Sequence, residues 1–184
     1  MVAETKSIAS GPSGLAMLSL LAVLLVGGKA GAADILVLID GIEPKKGQVF
    51  MRFCDKGPLD ACQQFGAMQP AMAETIGFRF TQIPPGEYAF VSFQDLDSSG
   101  KPEFNFLGMP KEPFALSNDA GKTLIPPPDF DDAKVKIADG PEITVRLTMQ
   151  TVLGTKRAKG KPVPLDKVPI LAVLDPVPPP PKPK

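Results

Sequence analysis

Short runs of alternating apolar and polar residues recur along the middle of the chain and predict β-strands. In residues 48–54 (QVFMRFC) the side chains of Val49, Met51 and Phe53 share one face, because side chains two positions apart point the same way in a strand. Five further segments show the same alternation or a β-branched and aromatic apolar run, at 35–39, 76–80, 88–93, 135–137 and 143–149. In addition to these six strands, we expect a seventh at 104–107.

Turn residues between these runs favour an all-β fold. Asp40-Gly41, Pro84-Pro85-Gly86 and Asp139-Gly140-Pro141 border predicted strands, and such residues start tight turns. The one plausible helix is short, at 61–74, and contains Pro70. The pattern therefore predicts an antiparallel β-sandwich of about seven strands over residues 34–150.

The two ends of the chain differ from this middle part. Residues 15–28 form a 14-residue apolar run after Lys6, and the small residues Ala30 to Ala33 follow. This arrangement predicts that residues 1–33 are a signal peptide, cleaved after Ala32 or Ala33. The alternative is a membrane anchor, but a spanning helix needs about 20 apolar residues.

Residues 151–184 are rich in proline and lysine and predict a disordered tail. Prolines donate no sheet hydrogen bond, so this segment should sample polyproline II. The apolar residues 170–174 (ILAVL) are either a docking strand or part of the tail, and we favour a tail with transient docking. The tail could contact an anionic surface through a basic group, Lys156, Arg157, Lys159 and Lys161.

Charge and composition exclude several classes of function. Residues 34–150 contain 17 acidic against 11 basic side chains, and nucleic-acid binding needs a basic surface. The chain has no histidine, which removes the commonest general base and zinc ligand. We therefore expect neither nucleic-acid binding nor histidine-based catalysis.

The two cysteines, Cys54 and Cys62, predict a structural disulfide. An exported chain meets an oxidising compartment, and a pair of cysteines there is usually bridged. The seven residues between them include Gly57 and Pro58. This spacing without histidine is a poor metal site, and a redox pair usually has two residues between its cysteines.

An acidic loop at residues 95–103 is the candidate metal site. Its oxygen-bearing residues alternate and Gly100 occupies the sixth position, which is what a calcium loop needs. The alternative is an ordinary turn between strands, because Asp, Ser and Gly are turn residues. The expected ligands are Asp95, Asp97, Ser99, the carbonyl of Lys101, and Glu103.

Two further segments have candidate chemistry. Residues 108–114 form a proline-rich loop that is either a structural cover or a binding surface. Its expected anchors are the aromatic residues Phe104, Phe106 and Phe114, and its expected binding residues are Lys111, Glu112 and Asn118. The acidic cluster Asp129, Asp131 and Asp132 suits either a solvated turn or, less well, paired carboxylates of a glycosidase.

Several short motifs together resemble a family of small exported bacterial domains of unknown function, DUF2141. The resemblance covers about residues 34–149 and implies an immunoglobulin-like or transthyretin-like sandwich without assigned catalytic residues. The motifs are Pro85-Gly86-x-Tyr88, Asp95-x-Asp97-x-x-Gly100, the run from Gly108 to Pro113, Ser117-Asn118, and Phe130 with Asp132-Ala133.

The function expected from the sequence is a non-catalytic module of the cell envelope, located in the periplasm or secreted. Its ligand would be an envelope protein or polymer, with calcium as a stabilising ion. The alternative is a periplasmic hydrolase that depends on carboxylates. Transthyretin-like hydrolases rely on histidine, which this chain lacks.

Overall fold

The computed structural model describes residues 31–62, 65–107, 109–122, 126–151 and 162–173. The regular secondary structure in these ranges is almost entirely β-strand, as expected, with one four-residue α-helix, α1 (Phe130–Ala133), and three short 3-10 segments. The strands are β1 (Ala33–Asp40), β2 (Gln48–Cys54), β3 (Phe65–Pro70), β4 (Thr75–Ile83), β5 (Gly86–Asp95), β6 (Phe114–Leu116), β7 (Lys134–Ile137), β8 (Ile143–Thr148) and β9 (Ile170–Val173).

The strands form two sheets that pack as a sandwich. One sheet has the order β8-β1-β4-β9 and the other β3-β2-β5-β6, with β7 also paired to β5. Neighbouring pairs are antiparallel except for two, since β8 runs parallel to β1 and β9 parallel to β4. The structure confirms the predicted β-sandwich, and these two pairs depart from its antiparallel arrangement. In each of these pairs the two strands lie far apart in the chain and are not joined by a hairpin, which allows parallel pairing.

The main core lies between the two sheets. Alternate residues of the strands point inward, so Val49, Met51 and Phe53 of β2 are all fully buried, as the sequence pattern predicts. The Phe53 ring lies 4.9 Å from the Phe80 ring and 5.0 Å from the Phe90 ring, centroid to centroid. The Phe53–Phe80 contact joins the two sheets, whereas Phe90 lies opposite Phe53 within one sheet.

Within the segment expected to be a helix, 61–74, residues 65–70 instead form the edge strand β3. It pairs with β2 from Gln48↔Pro70 to Phe53↔Phe65, and the Phe65 ring stacks on Phe53 at 4.6 Å. Tertiary packing against β2 therefore overrides the helical composition. Pro70 is tolerated because it ends a strand at the sheet edge, where no hydrogen-bond donor is needed.

The prediction of a strand at 104–107 is also wrong. Phe104 makes a single bridge to Pro110, and the strand of this region is β6, which pairs with β5 at Val91↔Leu116 to Phe93↔Phe114. The aromatic spacing of 104–107 resembles a strand, but these residues form part of an exposed turn.

Residues 162–173 are docked, so the alternative of a docking strand describes residues 170–173 better than the favoured tail with transient docking. The side chain of Val168 is buried against Leu36 and Leu38 of β1, and Val163 and Ile170 pack beside them. Strand β9 then joins the edge of β4 with the register Gly77↔Ile170 to Phe80↔Val173. An apolar surface on the outer face of β1 explains this docking. The basic residues proposed for surface contact, at 156–161, lie outside the described residues.

A disulfide joins Cys54 at the end of β2 to Cys62, across a Cα–Cα distance of 5.4 Å, as the sequence predicts. It closes a turn that contains the short 3-10 segment Leu59–Ala61. The residues of the expected signal peptide before position 31 lie outside the described part of the chain. Within that part, no helix has the length and apolar character needed to cross a membrane.

Candidate functional site

The end of β5 is fixed by a buried glutamine, Gln94. Its side-chain oxygen accepts from the Glu43 backbone N–H at 2.9 Å, and its Nε2 donates to the carbonyls of Glu43 and Lys46, each at 2.8 Å. Gly47 completes the contact, because a Cβ there would lie 1.7 Å from the Asp95 carbonyl oxygen. The turn between β1 and β2 is therefore held against the start of the acidic loop.

The acidic loop curls back on the last residue of β5, Asp95. This residue is fully buried, and its two side-chain oxygens accept from the backbone N–H groups of Ser99 at 2.9 Å and Gly100 at 2.7 Å. Asp97 is exposed and accepts from the Ser99 N–H at 3.1 Å. Ser98 and Gly100 have φ of 61° and 80°, which gives the loop its curl.

Glu112, from the segment just before β6, enters the same site. One of its oxygens, Oε1, accepts from the Leu96 N–H at 2.8 Å. The other, Oε2, is buried and has no hydrogen-bond partner, and the residue is 8% exposed. One carboxylate oxygen from each of Asp95, Asp97 and Glu112 lies within 4.8 Å of the other two.

The electrostatics of this cluster reflect its burial. Burial raises the pKa of Glu112, and the neighbouring Asp95 and Asp97 add to the shift. The backbone N–H groups of Leu96 and, more weakly, Glu103 oppose it. The pKa of Asp97 is lowered, chiefly by the Ser99 N–H. Among the ion pairs of the described residues, none involves these three carboxylates.

The structure brings together only part of the ligand set expected from the sequence. Asp95 and Asp97 converge. The Ser99 hydroxyl donates to the Lys101 carbonyl at 3.1 Å, so these two groups satisfy each other. Glu103 pairs with the Lys111 ammonium at 3.3 Å. Glu112 takes the third acidic position, which spacing within the loop could not reveal.

Between the acidic loop and Glu112, residues 103–107 and 109–111 form the two sides of a hairpin. At its base, the Lys111 N–H donates a hydrogen bond to the Glu103 carbonyl at 2.9 Å. Closer to the turn, the Asn105 N–H donates to the Met109 carbonyl at 2.8 Å. The Asn105 side-chain oxygen also accepts from the N–H groups of Leu107 at 2.9 Å and Met109 at 3.0 Å. Local hydrogen bonds thus fix the backbone around the turn.

This hairpin presents apolar side chains to solvent. Phe106 is 95% exposed and Leu107 66%. The expectation that Phe104 and Phe106 anchor the loop is wrong, since Phe104 is also 45% exposed, whereas Phe114 is buried in β6. An open depression of about 250 Å³ lies beside the hairpin, lined by Lys101, Pro102, Glu103, Phe104 and Lys111.

The other acidic cluster has a structural explanation. Asp129 precedes α1 and accepts from the Asp132 N–H at 3.1 Å, while the Asp132 side chain accepts from the Asp129 N–H at 3.0 Å. These reciprocal bonds form a capping box. Asp131 pairs with Lys134 at 3.1 Å. Asn118, expected on the binding surface, donates to the Lys134 carbonyl at 2.8 Å.

The fold and this site define a disulfide-bonded β-sandwich domain with an acidic cluster and an apolar hairpin at one end. The family model described as uncharacterized protein conserved in bacteria (DUF2141) matches residues 37–145. The chain belongs to that family, and the match spans both the acidic cluster and the hairpin. No curated protein and no solved structure matches the chain.

Proposed function

We propose that this protein is an exported, non-catalytic binding module of the cell envelope that docks a partner protein through the hairpin at 103–111. The observation that supports the proposal is the exposure of Phe106 and Leu107 on a hydrogen-bonded turn. Burying one such side chain gains about 1.5–3 kcal/mol. Because the turn is already ordered, little of that gain is lost to ordering on binding.

The surroundings of the hairpin favour a protein as the partner. Lys101, Glu103 and Lys111 give the rim charges of both signs, and Asn105 adds a polar group. Apolar anchors surrounded by a mixed polar rim are typical of protein interfaces. A uniformly anionic surface would attract the basic residues at 156–161 more strongly than the mixed charges around the hairpin. Those basic residues would therefore act as a second, weaker attachment site.

Export is supported by two features of the chain. The first 33 residues have the pattern of a signal peptide, and the Cys54–Cys62 bridge suits an oxidising compartment. Mass analysis of protein recovered from the periplasm should give a mature chain that begins at Ala33 or Asp34. Protein that retains Met1 in the membrane fraction would contradict this part of the proposal.

Docking can be tested by photo-crosslinking in the bacterium that makes the protein. A photoreactive residue at position 107 should give one discrete adduct with another protein, and Phe106→Ser should remove the adduct without changing the melting temperature. The matched control is a photoreactive residue at position 136, on β7 at the other end of β5, which should give no such adduct. An adduct only with lipid or with a second copy of the chain, or no adduct, would refute the proposal.

The hydrolase alternative is favoured by one observation, the raised pKa of the buried Glu112 carboxyl, since catalytic acids have shifted pKa values. However, the depression beside the hairpin is lined by other residues. Turnover of ester, peptide or glycoside substrates that is lost in Glu112→Gln and kept in Phe106→Ser would favour the hydrolase over the binding module.

A further inference from the structure

We propose that Asp95, Asp97 and Glu112 bind a single Ca²⁺ ion. The inference is independent of the docking function, because it concerns a different set of side chains. It also differs from the ligand set that the spacing within the loop suggests, since Glu112 replaces Glu103 as the third acidic ligand.

The unpartnered oxygen of Glu112 is the first argument. In folded proteins about 90% or more of buried polar groups have a hydrogen-bond partner, so an exception needs an explanation. Glu112 is 92% buried, its Oε1 is satisfied by Leu96, and its Oε2 has no partner. This oxygen belongs to a carboxylate that faces two others. A cation at the cluster is the partner that would satisfy it.

The local charge is the second argument. Asp95 and Glu112 are both buried, and their partners are backbone N–H groups rather than cations. The lysine of the hairpin, Lys111, is paired with Glu103. Buried charges in proteins are normally paired or bound to a metal, because removing an ion from water is costly. A divalent cation would neutralise most of the charge of the three carboxylates.

The donor atoms suit a hard divalent cation, and among these the irregular site favours calcium. All three ligands offer carboxylate oxygen, which suits Ca²⁺, Mg²⁺ or Mn²⁺ rather than metals that prefer sulfur or nitrogen. Ca²⁺ holds oxygens at about 2.3–2.6 Å, so ligands on opposite sides of one ion lie about 5 Å apart. The oxygens within 4.8 Å of one another fit this sphere. Exposed Asp97 gives the ion access, and water can complete its irregular coordination.

An ion here would join both sides of the hairpin. Asp95 and Asp97 precede residues 103–111, and Glu112 follows them directly. One Ca²⁺ would therefore fix both ends of the hairpin to the end of β5. Binding is measured on purified protein alone, so a failure of the calcium site is distinguishable from a failure of partner docking.

The test uses purified protein treated with chelator and titrated with CaCl₂ by calorimetry, with thermal melts in parallel. We expect one ion per chain. At a hundredfold excess over the dissociation constant, calcium should lower the unfolding equilibrium constant about a hundredfold. Glu112→Gln and Asp97→Asn should each weaken binding at least tenfold. Glu103→Gln is the matched control and should keep the affinity of the unmodified protein.

Because Asp97 is exposed, Asp97→Asn should fold even if Glu112→Gln does not, so the test remains decisive. Three outcomes would overturn the proposal. They are no heat and no melting shift with calcium, an unchanged affinity in Asp97→Asn, or a loss of binding in Glu103→Gln alone. Equal stabilisation by Mg²⁺ at the same concentration would overturn the assignment to calcium.

Discussion

Replacing Gly77 with alanine should release the docked C-terminal strand β9. Gly77 lies on β4 opposite Ile170, and its N–H donates to the Pro169 carbonyl at 2.8 Å. An added Cβ would lie 2.9 Å from Ile170 Cγ1 and 3.3 Å from Leu38 Cδ2. Carbon atoms prefer a separation of about 3.5–4.0 Å, so either β9 or the alanine must move.

The expected size of the effect follows from two opposing contributions. Overpacking of this kind costs about 1–3 kcal/mol. Gly→Ala also restricts the unfolded chain, which stabilises by about 0.4–1 kcal/mol. The two ranges together leave a net loss of about 0–2.6 kcal/mol, with a central value of roughly 1 kcal/mol. The loss cannot exceed the docking free energy of β9, because the strand can detach while the sandwich stays folded.

Two measurements separate local release from global unfolding. Thermal melts report the stability of the sandwich, and limited trypsin digestion at Lys167 reports release of the docked segment. Lys167 precedes buried Val168, so cleavage there should be slow in the unmodified protein and faster in Gly77→Ala. Ile170→Ala should relieve the clash, so the double variant should lose less stability than the two single losses added together.

The matched control is Gly66→Ala, on β3. A Cβ at that position would lie 3.4 Å from both Arg52 Cγ and the Met51 carbonyl oxygen, which is close to ordinary contact. It should change neither the melting temperature nor the digestion rate by much. If Gly77→Ala raises the melting temperature and leaves Lys167 cleavage unchanged, residues 170–173 have no fixed place beside β4, and the reasoning fails.

Two further predictions concern the turn and the loop. Cys54→Ser should lower the free energy of unfolding by about 2–3 kcal/mol, because the bridge restricts the unfolded chain; two reactive thiols in unfolded, unreduced protein would show that no bridge forms. Gln94→Ala should cost about 2–4 kcal/mol by chemical denaturation, since it leaves the Glu43 N–H and the Glu43 and Lys46 carbonyls without this partner. A cost below about 1 kcal/mol would show that water replaces the side chain.

The strand pattern could be predicted wherever one face of a strand is buried. Strand β2 alternates because only one of its faces meets the main core, and its predicted bounds agree with the structure. Strand β1 is different, since residues 35–39 are apolar at every position. A continuous apolar run is typical of a strand covered on both faces. That signal, in Leu36 and Leu38, could have predicted the docking of residues 162–173.

The candidate site shows where sequence reasoning stops. Asp95 and Asp97 are close in the chain, so their convergence follows from the local turn residues. Glu112 accepts a hydrogen bond from the N–H of Leu96, which is 16 residues away in the chain. The intervening hairpin brings Glu112 back to the acidic loop. Residue type also misleads at Phe106, because an aromatic side chain usually packs inside. Its exposure follows from the Asn105 hydrogen bonds, which spacing does not reveal.

The two ends of the β2–β5 pair are stabilised by different means. At one end Cys54 lies opposite Ala89, and the disulfide closes the adjoining turn covalently. At the other end Gln48 lies opposite Asp95, where only polar contacts hold the acidic loop and, beyond it, the exposed hairpin. If the proposed ion binds there, chelation should loosen the docking end and leave the disulfide end intact. Reduction of the disulfide should loosen the disulfide end and leave the docking end intact. Comparing the two treatments therefore separates the effect of each end on the stability of the fold from its effect on partner binding.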